Sequence, residues 1–109
     1  MKLQRRLLTH AVRELREFHS WLGARSETGA ARWLDSFEKA SELAVQNPLA
    51  MPLAPENSLV RYDVRQFVFK TARGRRYRAI FTVQENELLV LHIRGPGQEA
   101  LSELVGFEG

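Results

Sequence analysis

The stretch "GRRYRAIFTVQENELLVLHIR", residues 74–94, decides how this chain folds. Tyr77, Ala79, Phe81 and Val83 fall on one side of its first half, and Arg76, Arg78, Ile80 and Thr82 on the other. A period of two is that of a β-strand with its faces in different surroundings. "QENE", residues 84–87, supplies a polar turn. "LLVLHIR", residues 88–94, is a second strand, apolar enough to be central. The same period runs upstream, where Arg65, Phe67 and Phe69 alternate with Gln66, Val68 and Lys70 in residues 64–71. "ARGR", residues 72–75, turns between the two, with Gly74 expected to take a positive φ. Three strands joined by short turns predict an antiparallel meander.

Further upstream the period changes. "KLQRRLL", residues 2–8, predicts a short N-terminal strand, and Thr9 is expected to cap the helix that follows. Ala11, Leu15, Phe18 and Leu22 recur at helical spacing until Gly23. Ser26 or Thr28 caps a second helix that runs to about Gln46, with Ala30, Leu34, Phe37, Ser41 and Ala44 as its stripe. Asn47-Pro48 ends it, because proline disfavours helix in the residue before it. So short a link predicts an antiparallel helical hairpin. Residues 47–60 hold three prolines and no period, a loop pinned by Leu49, Met51 and Leu53. "GPGQ" ends the last strand, and a short helix is expected near residues 98–105. The expected fold is α+β, in one domain over residues 1–109: short strand, antiparallel helical hairpin, then a three-strand antiparallel meander with the helices on one sheet face.

Composition agrees with a globular body, at 44% hydrophobic and 27% charged. The absence of cysteine excludes a disulfide framework and thiolate metal sites. No run approaches the ~18 apolar residues of a membrane span. The basic N-terminus lacks the long apolar core of a signal peptide, so a cytoplasmic protein is expected, with no membrane partner.

Net charge is only +3, but it is unevenly spread. Residues 61–78 hold seven basic side chains against Asp63, a local +6, which leaves −3 for the rest. A basic surface on a mildly acidic body marks a polyanion site or an acidic partner, unless it is simply a solvated hairpin. Strand parity sends Tyr77, Ala79, Phe81, Val83, Leu89, Leu91, Ile93, Phe67 and Phe69 towards the helices. The opposite face then carries Arg76, Arg78, Ile80 and Thr82, with Leu88, Val90, His92 and Arg94, and Gln66, Val68 and Lys70. The polar members collect at one sheet edge as Lys70, Arg76, Arg78, His92 and Arg94.

Such a cluster suits a phosphate backbone, because the arginine fork matches phosphate oxygens. Several cations also stabilise the charge of a phosphorane transition state. His92 is the natural base, and metal-free ribonuclease chemistry needs little more: a 2′-OH deprotonated, the adjacent phosphorus attacked, the leaving oxygen protonated. Lys70, Arg78, His92 and Arg94 are therefore the candidate catalytic residues, and Arg73, Arg75 and Arg76 candidate nucleic-acid contacts. No cofactor or metal is expected. Structural alternatives stand beside these: His92 hydrogen-bonded at a strand end, Arg78 paired with a carboxylate across the sheet, Trp21 and Trp33 as core or hairpin contacts. Glu14, Glu17, Glu38 and Glu42 read as solvated helix positions.

"AARWLDSFEKA", a proline loop, and "VRQFVFK…RRYRAIFTVQENELLVLHIR" together resemble the RelE/ParE superfamily of bacterial toxins over about residues 2–98. The resemblance implies a type II toxin paired with a cognate antitoxin. RelE-like members are metal-independent endonucleases of mRNA on the ribosome. ParE-like members instead inhibit DNA gyrase and are not nucleases. The first reading here is the RelE-like mRNA endonuclease, and the alternative is the ParE-like gyrase toxin. By resemblance Arg78 matches a phosphate-stabilising arginine of the nuclease branch, and His92 and Arg94 fall near basic positions ending the last strand. Lys70 lies near those of the preceding strand. The tail departs from the pattern: Gly95 and Gln98 stand where a second basic pair is expected, and no Tyr follows.

Overall fold

The computed structural model describes residues 3–104. Strand β1 (Gln4–Leu7) leads into helices α1 (Thr9–Gly23) and α2 (Glu27–Gln46). Two short 3-10 turns, Pro48–Ala50 and Pro55–Leu59, occupy the proline loop. Strands β2 (Arg65–Phe69), β3 (Tyr77–Gln84) and β4 (Glu87–Arg94) complete the fold. The α+β expectation holds, and the sheet has four strands in the order β1-β4-β3-β2. The meander is antiparallel, while β1 lies parallel to β4, with Gln4 opposite Glu87 and Leu7 opposite Val90.

Local chemistry sets most boundaries. Ser26 caps α2, its Oγ accepting from Gly29 N–H at 2.9 Å. Thr9 does not cap α1; it is the first helical residue, and Leu8 precedes it with no side-chain bond. Its first-turn N–H groups therefore lack the side-chain partner that threonine was expected to supply. Gly74 does not take a positive φ; among the described residues such angles belong to Glu85 at 57° and Gly97 at 77°. A Cβ at residue 74 would only have to displace the Thr71 hydroxyl. Residues 98–104 form no helix, and Val105 lies outside the described residues.

Both sheet faces are covered. On one, Trp33, Phe37, Ala44 and Val45 of α2 and Ala11 of α1 meet Phe67, Phe69, Tyr77, Ala79, Phe81, Leu88, Val90 and Ile93. On the other, Ile80, Leu89 and Leu91 pack with Ala54, Val64 and Leu104. Leu88 and Val90 have thus changed places with the expected Leu89 and Leu91. The cause is a β-bulge: Phe81 pairs with Val90 but Ile80 with His92, so Leu91 is an extra residue and parity resets there. Ile93, beyond the bulge, keeps the expected side.

Candidate functional site

The exposed cations come from the β2–β3 connection. Lys70 follows β2, and Arg73, Arg75 and Arg76 extend to the start of β3; all four are exposed. Four of the seven cations of residues 61–78 are therefore displayed to solvent at one end of the sheet.

The other expected site residues are engaged with the protein itself. Arg78 and Arg94 sit opposite one another on neighbouring strands. Arg78 forms a two-pronged ion pair with Glu56, Nη1 to Oε1 at 2.8 Å and Nη2 to Oε2 at 2.7 Å, and Nη1 also donates to Gln66 Oε1 at 3.1 Å. The Glu56 side chain is 0% exposed. Burial alone would push its carboxyl up. Hydrogen bonds from Arg78, Leu101 N–H and its own backbone, with the Arg78 charge, outweigh that and bring it down to about 2. Leu101 N–H donates to Glu56 Oε2 at 2.9 Å, and Arg94 Nη2 donates to the Glu99 carbonyl at 2.6 Å. One buried carboxylate thus ties the proline loop, β3 and the tail together.

His92 leaves the cluster altogether. It is 9% exposed, its ring stacks on His10 at 5.1 Å, and Nδ1 lies 3.2 Å from both Glu14 oxygens. Glu14 Oε1 also accepts from Ile93 N–H at 2.9 Å. The last β1–β4 pair is Leu7 with Val90, so beyond it Glu14 satisfies a strand edge that β1 does not reach. Glu14 is a structural clasp, not a solvated helix position. Of the four expected catalytic residues, Arg78 and Arg94 lie together, Lys70 is at the exposed end of its strand, and His92 is held against α1. Among the described residues, no group of three or more His, Asp or Glu side chains could hold a metal.

A groove of about 660 Å³ opens at the same end of the sheet. Phe18, Trp21 and Leu22 of α1, Trp33 of α2, Tyr77 of β3 and Gly95 are among its walls. Gly95 lets Phe18 approach closely: a Cβ there would stand 2.9 Å from Phe18 Cζ and push the ring aside. Trp33 is buried as expected, but Trp21 is 52% exposed, with the Arg25 guanidinium 4.0 Å above its ring. Arg75 lies on the groove's edge. Burial pushes the Tyr77 hydroxyl above its ordinary range, against the pull of Arg75. Sequence reasoning missed Glu56, Glu14 and this groove. The available signals were a lone acid among prolines, an acid beside Leu15 on an apolar helix face, and aromatics clustered around the helical turn.

A strand, a helical hairpin and an antiparallel meander are consistent with a RelE/ParE-like fold. Residues 6–99 match the family model for the ParE toxin of type II toxin-antitoxin systems, parDE, and the chain belongs to that family. No curated protein and no solved structure matches significantly. None of the described helices is long and apolar enough to cross a membrane.

Proposed function

We propose that this ParE-family toxin acts by binding and inhibiting DNA gyrase, and not by cutting mRNA. The observation that carries the reading is the engagement of the would-be nuclease residues. A ribonuclease needs a base within reach of a 2′-OH and cations open to the scissile phosphate. His92 faces Glu14 and is stacked on His10. Both Nη atoms of Arg78 are taken by Glu56. The family match leans the same way. The cations that remain exposed, Lys70, Arg73, Arg75 and Arg76, suit a docking surface more than a reacting centre.

The test sets two assays side by side. Purified toxin is added to gyrase supercoiling relaxed plasmid, and mRNA is mapped by primer extension after brief induction in cells. Loss of supercoiling with intact mRNA is expected. New 5′ ends at ribosome positions that disappear in Arg78→Ala or His92→Ala would overturn the proposal and restore the endonuclease reading.

A further inference from the structure

We infer that the unpaired cations at the basic end of the sheet form a surface that grips the phosphate backbone of duplex DNA without reading its sequence. The choice of DNA rests on the gyrase reading, because duplex DNA is the polyanion on which gyrase acts. The surface itself rests on where the cations stand and what they lack.

Many cations elsewhere in the molecule are answered by acids. Arg5 pairs with Glu38, Arg6 with Glu87, Lys39 with Asp35, Arg65 with Asp63 and Arg78 with Glu56. Arg25, Arg32, Lys70, Arg73, Arg75 and Arg76 are different: all six are exposed, and none has a carboxylate partner among the described residues. They also converge. Lys70 and Arg76 are the next residues out from the last β2–β3 pair, Phe69 with Tyr77. Arg73 and Arg75 flank Gly74 in the turn, which the bond from Gly74 N–H to the Thr71 carbonyl closes at 3.1 Å. The helical hairpin brings the other two against this loop. Arg32 and Arg73 line one shallow pocket with Thr71, and Arg25 and Arg75 stand on the edge of the neighbouring groove. Arg25 is held there by its stack on Trp21, 4.0 Å from guanidinium to ring, which orients it and leaves its in-plane donors free.

Duplex DNA carries one charge per about 1.7 Å of its axis, and neutralising phosphates releases condensed counterions whatever the base sequence. Free cations gathered from two parts of the chain onto one surface collect that gain, and the arginine fork matches the phosphate oxygens. Residues 70–76 carry no helix to enter the major groove. Their contacts therefore fall on the backbone, which positions a protein without specifying sequence. An acidic protein fits less well. Protein interfaces are depleted of charge at their centre, whereas this loop offers one sign of charge and no apolar residue larger than Ala72.

The experiment is fluorescence anisotropy of a labelled duplex of about 20 base pairs, titrated with the full-length toxin from about 50 to about 200 mM salt. With about four of the cations on phosphates, the logarithm of the association constant should fall against the logarithm of salt with a slope of about −4. Arg73→Gln combined with Arg75→Gln should reduce that slope by about 2 and weaken Kd by about 20-fold at the lower salt. The same double variant should raise the toxin concentration that half-inhibits gyrase supercoiling by about 10-fold. Arg61→Gln removes an exposed cation that precedes β2 and should change neither measurement. A duplex of scrambled sequence should bind equally well. Circular dichroism confirms the fold of each variant, and all three side chains are exposed. A toxin that inhibits gyrase but binds no duplex at the lower salt would overturn the DNA surface and leave the gyrase reading standing. A toxin that binds duplex and leaves supercoiling untouched would overturn the gyrase reading and keep the surface. Tighter binding to an RNA duplex of the same sequence would overturn the choice of DNA. Lost gyrase inhibition in the double variant, with DNA affinity and slope unchanged, would give these cations to the gyrase protein and overturn the inference.

Discussion

The two faces of the sheet are closed by opposite means. The helix face is apolar and aromatic, with Phe37 at 0% exposure against Phe67 and Phe69. Among the described residues the other face has no α-helix. It is covered by the proline loop and the tail, and its apolar patch around Ile80 and Leu91 is bordered by the Glu56–Arg78 pair. An amphipathic helix brings enough apolar area to cover a sheet by itself. A loop does not, and here a polar clasp fixes its position. The first face is general and tolerant of many sequences; the second depends on single atoms.

The comparison can be broken most strongly on the helix face. Phe37→Ala should destabilise the protein by about 4 kcal/mol in urea unfolding, from lost burial and the cavity left behind. Glu56→Ala should cost about 3 kcal/mol by leaving Arg78 unpaired in a largely buried position, and should free the tail, read as faster amide exchange at Leu101. The double variant Glu56→Leu/Arg78→Met should recover most of the stability, which no second change at Phe37's partners would do. The two faces also separate by pH. The Glu56 carboxyl is lowered in the folded state, so its contribution is complete above about pH 4.5 and is lost as pH falls towards about 2. The shift from 4.5 corresponds to about 3 kcal/mol. That slope should vanish in the double variant and persist in Phe37→Ala. The smallest effect is a gain: Glu85→Asn, at φ 57°, should stabilise the β3–β4 turn by about 0.5 kcal/mol.

What the sequence shows and hides follows the same division. Periodicity located both helices and the meander, because the helix face obeys repeating rules. Ser26 was readable as a cap for the same reason. The exchange of Leu88 and Val90 with Leu89 and Leu91 was not, because a one-residue bulge leaves no mark on composition. The candidate site fared less well than the fold. His92 and Arg78 have the chemistry of catalytic residues, and parity placed them on one surface. Their partners, Glu14 and Glu56, stand 78 and 22 positions away in the chain. Long-range pairing of that kind carries no local pattern. The same holds for the placing of β1 beside β4.

That last pairing has a consequence for how the molecule comes into being. β1 is made well before β4, which among the described residues is its one strand neighbour. At about 5–20 residues per second, the interval between them is on the order of ten seconds of translation. Throughout it the helical hairpin has its apolar stripe uncovered and no sheet to lie on. Gly95 and Pro96, which wall the groove, are made later still. A nascent or truncated chain therefore lacks both the closed sheet and the finished groove. The sheet and the groove close only once β4 and the Gly95–Pro96 turn have been made.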